Sequence, residues 1–161
     1  YITSPVIMKL LEEKLPVESL TVMVQKEAAV RICAAPGTRA CGAVSVAVQY
    51  YSQPQILFDV PRDCFFPAPN VDSAVIRLNI RTEPPVKLET EEKQFFKLVK
   101  AAFGQRRKTV LNSLSTGLGK SKEELSAALQ QAGIAPTARA EQLTMEQFGT
   151  LCNLLFPNKA Q

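Results

Sequence analysis

The sequence predicts two architectures in series, an α/β part followed by an all-α part. Three observations carry this. Runs of strand character occur only in the first half of the chain, where segments of helical spacing separate them. The stiff segment Glu83-Pro84-Pro85-Val86-Lys87 then interrupts the pattern. Beyond it, every apolar repeat has helical spacing. The expected boundaries are residues 1–82 for the α/β part, 83–89 for a linker and 90–161 for a small helical domain.

Taken in order, Thr3-Ser4-Pro5 opens a helix, with Ser4 suited to the N-cap and Pro5 to the first helical position. Val6, Ile7, Leu10 and Leu11 give its apolar stripe, and Pro16 ends it. Leu20-Thr21-Val22-Met23-Val24 is a short apolar run that suits a strand buried on both faces, as in a parallel sheet. Ala28, Ala29, Ile32 and Cys33 mark one side of a second helix, which Pro36-Gly37 breaks. Residues 40–52 fit two patterns: Val44, Val46 and Val48 alternate as in a strand, whereas Ala43, Val46, Ala47 and Tyr50 repeat as in a helix. A strand already follows at Ile56–Val60 and needs a crossover before it, which favours the helix.

Next comes Cys64-Phe65-Phe66-Pro67-Ala68-Pro69-Asn70-Val71-Asp72, a loop stiffened by Pro61, Pro67 and Pro69. It runs into strict alternation, with Ala74, Ile76, Leu78 and Ile80 on one face. A rigid loop with an aromatic pair at the entrance of a strand is a natural place for a site. The plainer alternative is that both rings anchor the loop on the core.

In the helical part, Thr90 is expected to cap a helix whose core face is Phe96, Val99 and Phe103. Gln105-Arg106-Arg107-Lys108-Thr109 opens the next, backed by Val110, Leu111 and Leu114. Ser121-Lys-Glu-Glu124 and Thr144-Met-Glu-Gln147 read as capping boxes of two more helices. Gly117-Leu-Gly119-Lys120 lacks a preceding strand and the spacing of a phosphate loop, so it reads as a helix–helix turn.

Charge is unevenly spread. Residues 1–80 hold seven Lys/Arg against seven Asp/Glu, and residues 81–161 hold twelve against eight. A polyanion should therefore meet the second half first. Lys93, Lys97, Lys100, Arg106, Arg107 and Lys108 form a run with no acid among them. The lysines at i, i+4 and i+7 share a helix face, which is commonly just solvated. Arg106-Arg107-Lys108, at a break between helices, suits phosphate better, through guanidinium forks and the donors of a helix N-terminus.

The four cysteines form no C-x-x-C pair and there is no histidine, so neither a zinc site nor a histidine-activated nucleophile is expected. Scattered cysteines and no signal-peptide pattern fit a reducing cytoplasm. Asp59, Asp63 and Asp72 are acid/base candidates that read more simply as turn and capping residues. The opening Tyr1-Ile-Thr-Ser-Pro5 reads like the middle of a longer chain.

Several segments resemble the ribosomal RNA adenine dimethyltransferases that act on the small subunit. Tyr1-Ile-Thr-Ser-Pro5 looks like the segment just after that family's N-L-P-Y motif. Gln25-Lys26-Glu27 and Ser45-Val-Ala-Val-Gln49-Tyr50 match in order. Phe65-x-Pro67-x-Pro69-x-Val71-Asp72-Ser73-Ala74-Val75 resembles its loop-to-strand signature, and Ala102-Phe-Gly-Gln-Arg-Arg-Lys-Thr-Val-Leu-Asn-Ser-Leu114 its C-terminal helical signature.

The resemblance implies the C-terminal part of a Rossmann-like methyltransferase sheet followed by a small helical domain. It implies S-adenosyl-L-methionine as methyl donor and dimethylation of N6 on two adjacent adenosines in a 3′-terminal hairpin of small-subunit rRNA. By position Phe65 would stack on the flipped target base, while Phe66 stands where the family pattern varies. Arg106, Arg107, Lys108, Lys100 and Lys97 would face rRNA. The family's glycine-rich cofactor loop, acidic ribose-binding residue and N-L-P-Y would all precede Tyr1, so the 161 residues alone are expected not to methylate. The related large-subunit rRNA methyltransferase is one alternative. A non-catalytic RNA-binding or ribosome-assembly module is another. Membrane and metal partners are not expected.

Overall fold

The computed structural model describes residues 3–157, and Tyr1 and Ile2 of the opening segment lie outside them. The chain divides into two compact units: residues up to Ala35 together with Val44–Pro84, and Pro36–Ala43 together with the residues from Pro85 onward.

The first unit is a three-stranded sheet with helices on one face. α1 spans Thr3–Glu12, β1 Ser19–Gln25, α2 Lys26–Ile32, α3 Ala43–Tyr51, β2 Ser52–Val60 and β3 Ser73–Ile80. The ambiguous segment 40–52 thus forms a helix. α1 ends at Glu12, before Pro16 is reached, with Lys14 just beyond it at φ 51°, and Ser4 and Pro5 lie within its first described turn.

The strand order is β1-β3-β2, and both pairings are antiparallel. This corrects the expectation of a fully buried, parallel-type β1. β3, last in sequence, inserts between the other two. Leu20, Val22 and Val24 lie across from Leu78, Ile76 and Ala74. That face packs against Ile7 and Leu11 of α1, Ala29 and Ile32 of α2, and Val48 of α3. On the opposite face Met23, Val75 and Phe58 form an apolar row across the strands, with Met23 and Phe58 exposed. Pro54 is tolerated in β2 because that strand is an edge. A bulge between Ile56 and Phe58 shifts the register just before the loop.

The second unit is helical: α4 Glu92–Ala102, α5 Val110–Leu118, α6 Lys122–Gln131 and α7 Met145–Leu155. Phe95, Leu98, Leu114, Leu125, Phe148 and Leu151 are among its fully buried large side chains. The core face of α4 is therefore Phe95, Leu98, Val99 and Ala102, rotated from the expected Phe96, Val99 and Phe103. Both stripes have i, i+3/i+4 spacing, and only the neighbouring helices decide which turns inward.

The termini of these helices follow local chemistry. Thr144 and Gln147 form a complete capping box at α7, through Thr144 N–H to Gln147 Oε1 (3.0 Å) and Gln147 N–H to Thr144 Oγ1 (3.1 Å). At α6 only half of the expected box forms. Ser121 Oγ accepts from Glu124 N (3.2 Å), while the Glu124 carboxylate pairs with Lys120 Nζ (3.4 Å). Gly133, at φ 72°, ends α6 with its N–H on Gln130 O, and Ile134 N donates to Leu129 O. Part of the segment read as a linker is fastened to α7: Asn153 Nδ2 donates to Lys87 O (3.0 Å), and Glu89 N donates to Asn153 Oδ1 (2.8 Å). Among the described residues no helix is long and apolar enough to cross a membrane.

Candidate functional site

The loop between β2 and β3 is almost entirely exposed, yet it is tied to itself. A single 3-10 turn, Arg62–Cys64, follows Pro61. Cys64 N donates to Pro61 O (3.0 Å) and Phe65 N to Arg62 O (3.2 Å). Across the base of the loop, Arg62 N donates to Asp72 Oδ1 (2.9 Å) and Arg62 Nη1 to Asn70 O (3.1 Å). Asp72 is thus a turn residue, and its carbonyl also accepts from Lys26 N (2.9 Å), which joins the loop to the end of β1. Asp59 pairs with Lys26, and Asp63 is exposed. None of the three has the surroundings of an acid/base catalyst.

The aromatic pair is split. Phe65 is half-buried with extended backbone (φ −114°, ψ 152°), and Phe66 is fully exposed at 102%. The alternative in which both rings anchor the loop on the core is therefore excluded for Phe66. Phe65 stands at the entrance of β3 with part of its ring open.

In the second unit the cations cluster around the α4–α5 connection. Lys97 and Lys100 are exposed on α4, and Arg106, Arg107 and Lys108 are exposed in the turn that comes next. Among the described residues none of these five takes part in a salt bridge, whereas Lys93 pairs with Glu91 at 3.1 Å. Uncompensated cations at this density attract polyanions.

The local geometry corrects one expectation. Residues 105–108 do not open a helix. Lys108 N donates to Gln105 O (3.0 Å), and α5 begins only at Val110. Its first-turn donors are largely used: Val110 N donates to Ala138 O (2.8 Å), and Asn112 N to Thr109 Oγ1 (3.3 Å). The N-terminus of α5 therefore has few backbone donors left to offer an anion.

Two cysteines carry raised pKa values. Burial pushes the Cys152 thiol up to about 11, and the Cys33 thiol is raised for the same reason. Neither is an activated nucleophile. Among the described residues no group of three or more potential metal ligands occurs.

A family profile of ribosomal RNA adenine dimethylases matches residues 1–156. The chain belongs to that family. It is 51% identical over 160 residues to the ribosomal RNA small subunit methyltransferase A of Geobacillus thermodenitrificans, a match that covers 98% of this chain and 54% of that protein. The chain thus spans about half the length of the curated relatives it matches. Among solved structures it is similar to a dimethyladenosine transferase from Plasmodium falciparum, with a TM-score of 0.74, 24% identity, and coverage of 93% of this chain and 61% of that one. It is also similar to the 23S rRNA methyltransferase ErmE, with a TM-score of 0.68, 27% identity, and coverage of 96% and 61%. Its fold is part of a Rossmann-like methyltransferase followed by a helical unit.

Among the described residues no strand runs directly into a glycine-rich turn and a helix. Gly37 and Gly42 follow α2, and the remaining glycines lie in the helical unit. Phe65 is recognisable from sequence as a site candidate. The full exposure of Phe66 is not, because spacing alone does not say which ring of an adjacent pair turns outward.

Proposed function

We propose that this chain is the base-holding and RNA-holding part of an S-adenosylmethionine-dependent rRNA adenine N6-dimethyltransferase. Its substrate would be two adjacent adenosines in a 3′-terminal hairpin of small-subunit rRNA. The observation that carries the reading is the family match over residues 1–156, which includes the loop holding Phe65 and the turn holding Arg106, Arg107 and Lys108. The higher identity to a small-subunit enzyme than to ErmE favours the small-subunit substrate.

S-adenosylmethionine supplies an electrophilic methyl group when bound. This chain's own residues act by positioning. Phe65 offers one ring face to the flipped adenine from a loop that is held by hydrogen bonds at its base. Arg106, Arg107 and Lys108, with Lys97 and Lys100, contact the phosphates and supply most of the sequence-independent affinity. On this reading the 161 residues by themselves bind RNA without methylating it.

Nucleoside mass spectrometry of small-subunit RNA tests this. A protein of the relatives' full length should form N6,N6-dimethyladenosine, and the 161-residue chain should form none. In the longer protein, Phe65→Ala should lower kcat/KM by about 5- to 100-fold, the range expected for one base–aromatic stack. Turnover by the short chain, or an unchanged kcat/KM in Phe65→Ala, would refute the assignment.

A further inference from the structure

Phe66 is the most exposed large apolar side chain among the described residues, at 102%. It sits one residue beyond the Phe65 N–H to Arg62 O bond, on a loop whose base is closed by the two Arg62 bonds to Asp72 and Asn70. A free ring on a tied loop differs from a free ring on a frayed one, because little ordering remains to be done when a partner arrives. Phe65 is extended, so successive side chains leave the backbone on opposite sides. The two rings therefore address different things. If Phe65 faces the target base, Phe66 cannot share that base.

We propose that Phe66 is a second stacking platform, which receives the nucleobase adjacent to the target in an unpaired RNA loop. The proposal rests on the reading of Phe65 given above. Unpaired loops present splayed bases, and proteins take these up on aromatic faces without needing to read their edges. A methyltransferase that flips one base disturbs the stack on which its neighbour rests. A ring beside the entrance replaces that stack and holds the neighbour aside.

The test uses the full-length protein and a hairpin RNA carrying 2-aminopurine either at the target position or at the nucleotide on either side. Stacking quenches this fluorophore. The wild type should quench it at one flanking position. Phe66→Leu, which keeps apolar bulk but removes the π face, should abolish that quench and weaken RNA binding by roughly 5- to 100-fold. Phe66→Tyr should preserve both. Phe65→Leu should alter the signal at the target position and leave the flanking signal in place.

Unquenched fluorescence at both flanking positions, with normal quenching at the target, overturns the role of Phe66 and leaves that of Phe65 standing. Wild-type RNA affinity and quenching in Phe66→Leu overturn it equally. Normal RNA behaviour of Phe66→Leu together with a failure to associate with small-subunit particles would show that the ring meets protein, and that also overturns it. No binding of the RNA by the wild type would refute the underlying functional reading and, with it, this proposal. Phe66 makes up no part of the core, so the variants should fold, and circular dichroism checks that they do.

Discussion

Replacing Gly117 by alanine should destabilise the helical unit, although Gly→Ala inside a helix ordinarily stabilises by about 1 kcal/mol. Gly117 lies in the last turn of α5, against α4. A Cβ built there falls 2.6 Å from Ala101 Cβ and 3.1 Å from Ala101 Cα. Carbon atoms rest about 3.5–4.0 Å apart, so α4 and α5 must separate by roughly 1 Å. Overpacking of this kind costs about 1–3 kcal/mol, and the propensity gain offsets part of it. The net destabilisation should be up to ~2 kcal/mol, at about 4–8 °C in Tm for each kcal/mol in a unit of this size.

Urea and thermal unfolding of Gly117→Ala measure this directly. A second variant isolates the cause. Ala101→Gly removes the Cβ met at 2.6 Å, so the double variant should be more stable than the sum of the single effects by about 1 kcal/mol or more. An unfolding midpoint at or above wild type in Gly117→Ala would refute the reasoning, as would strict additivity in the cycle.

Four further outcomes are expected. Replacing Arg106, Arg107 and Lys108 by glutamine should leave the fold intact, because all three are exposed. It should also lower the slope of log affinity against log salt by about 0.7 for each phosphate of single-stranded RNA that is no longer neutralised, and an unchanged slope would place the RNA elsewhere. Thr144→Ala opens the capping box of α7 and should cost ~1 kcal/mol, read as a lower urea midpoint. Thiol chemistry should separate the cysteines: at a pH of about 8, where an ordinary thiol is partly ionised, a maleimide labels exposed Cys64 in the folded chain but reaches buried Cys152 only after unfolding. The Cys152 thiol titrates near 9.0 unfolded and near 11 folded. Its contribution is therefore full below about pH 9 and is lost as pH rises toward 11. Stability of wild type should fall more steeply than that of Cys152→Ala across that window.

Sequence by itself determined the local features of this protein. The order of helices and strands, the caps at Ser121 and Thr144, the loop stiffened by Pro61, Pro67 and Pro69, and the position of Phe65 all arise from chemistry within a few residues. So does the basic run, and the family resemblance rests on the same short segments. Tertiary structure alone decided which faces meet. An apolar run such as Leu20–Val24 shows that a strand is half or wholly buried, but not that β3 will return and pair with it antiparallel. Two stripes of equal spacing compete on α4, and packing chose Phe95 and Leu98. The first-turn donors of α5 look available in sequence, yet Ala138, a residue far along the chain, takes one of them. Phe65 and Phe66 are the same residue type in adjacent positions, and only the path of the loop turns one partly inward and the other into solvent. Local rules act over a few bonds, whereas burial is settled by whatever the rest of the chain brings alongside.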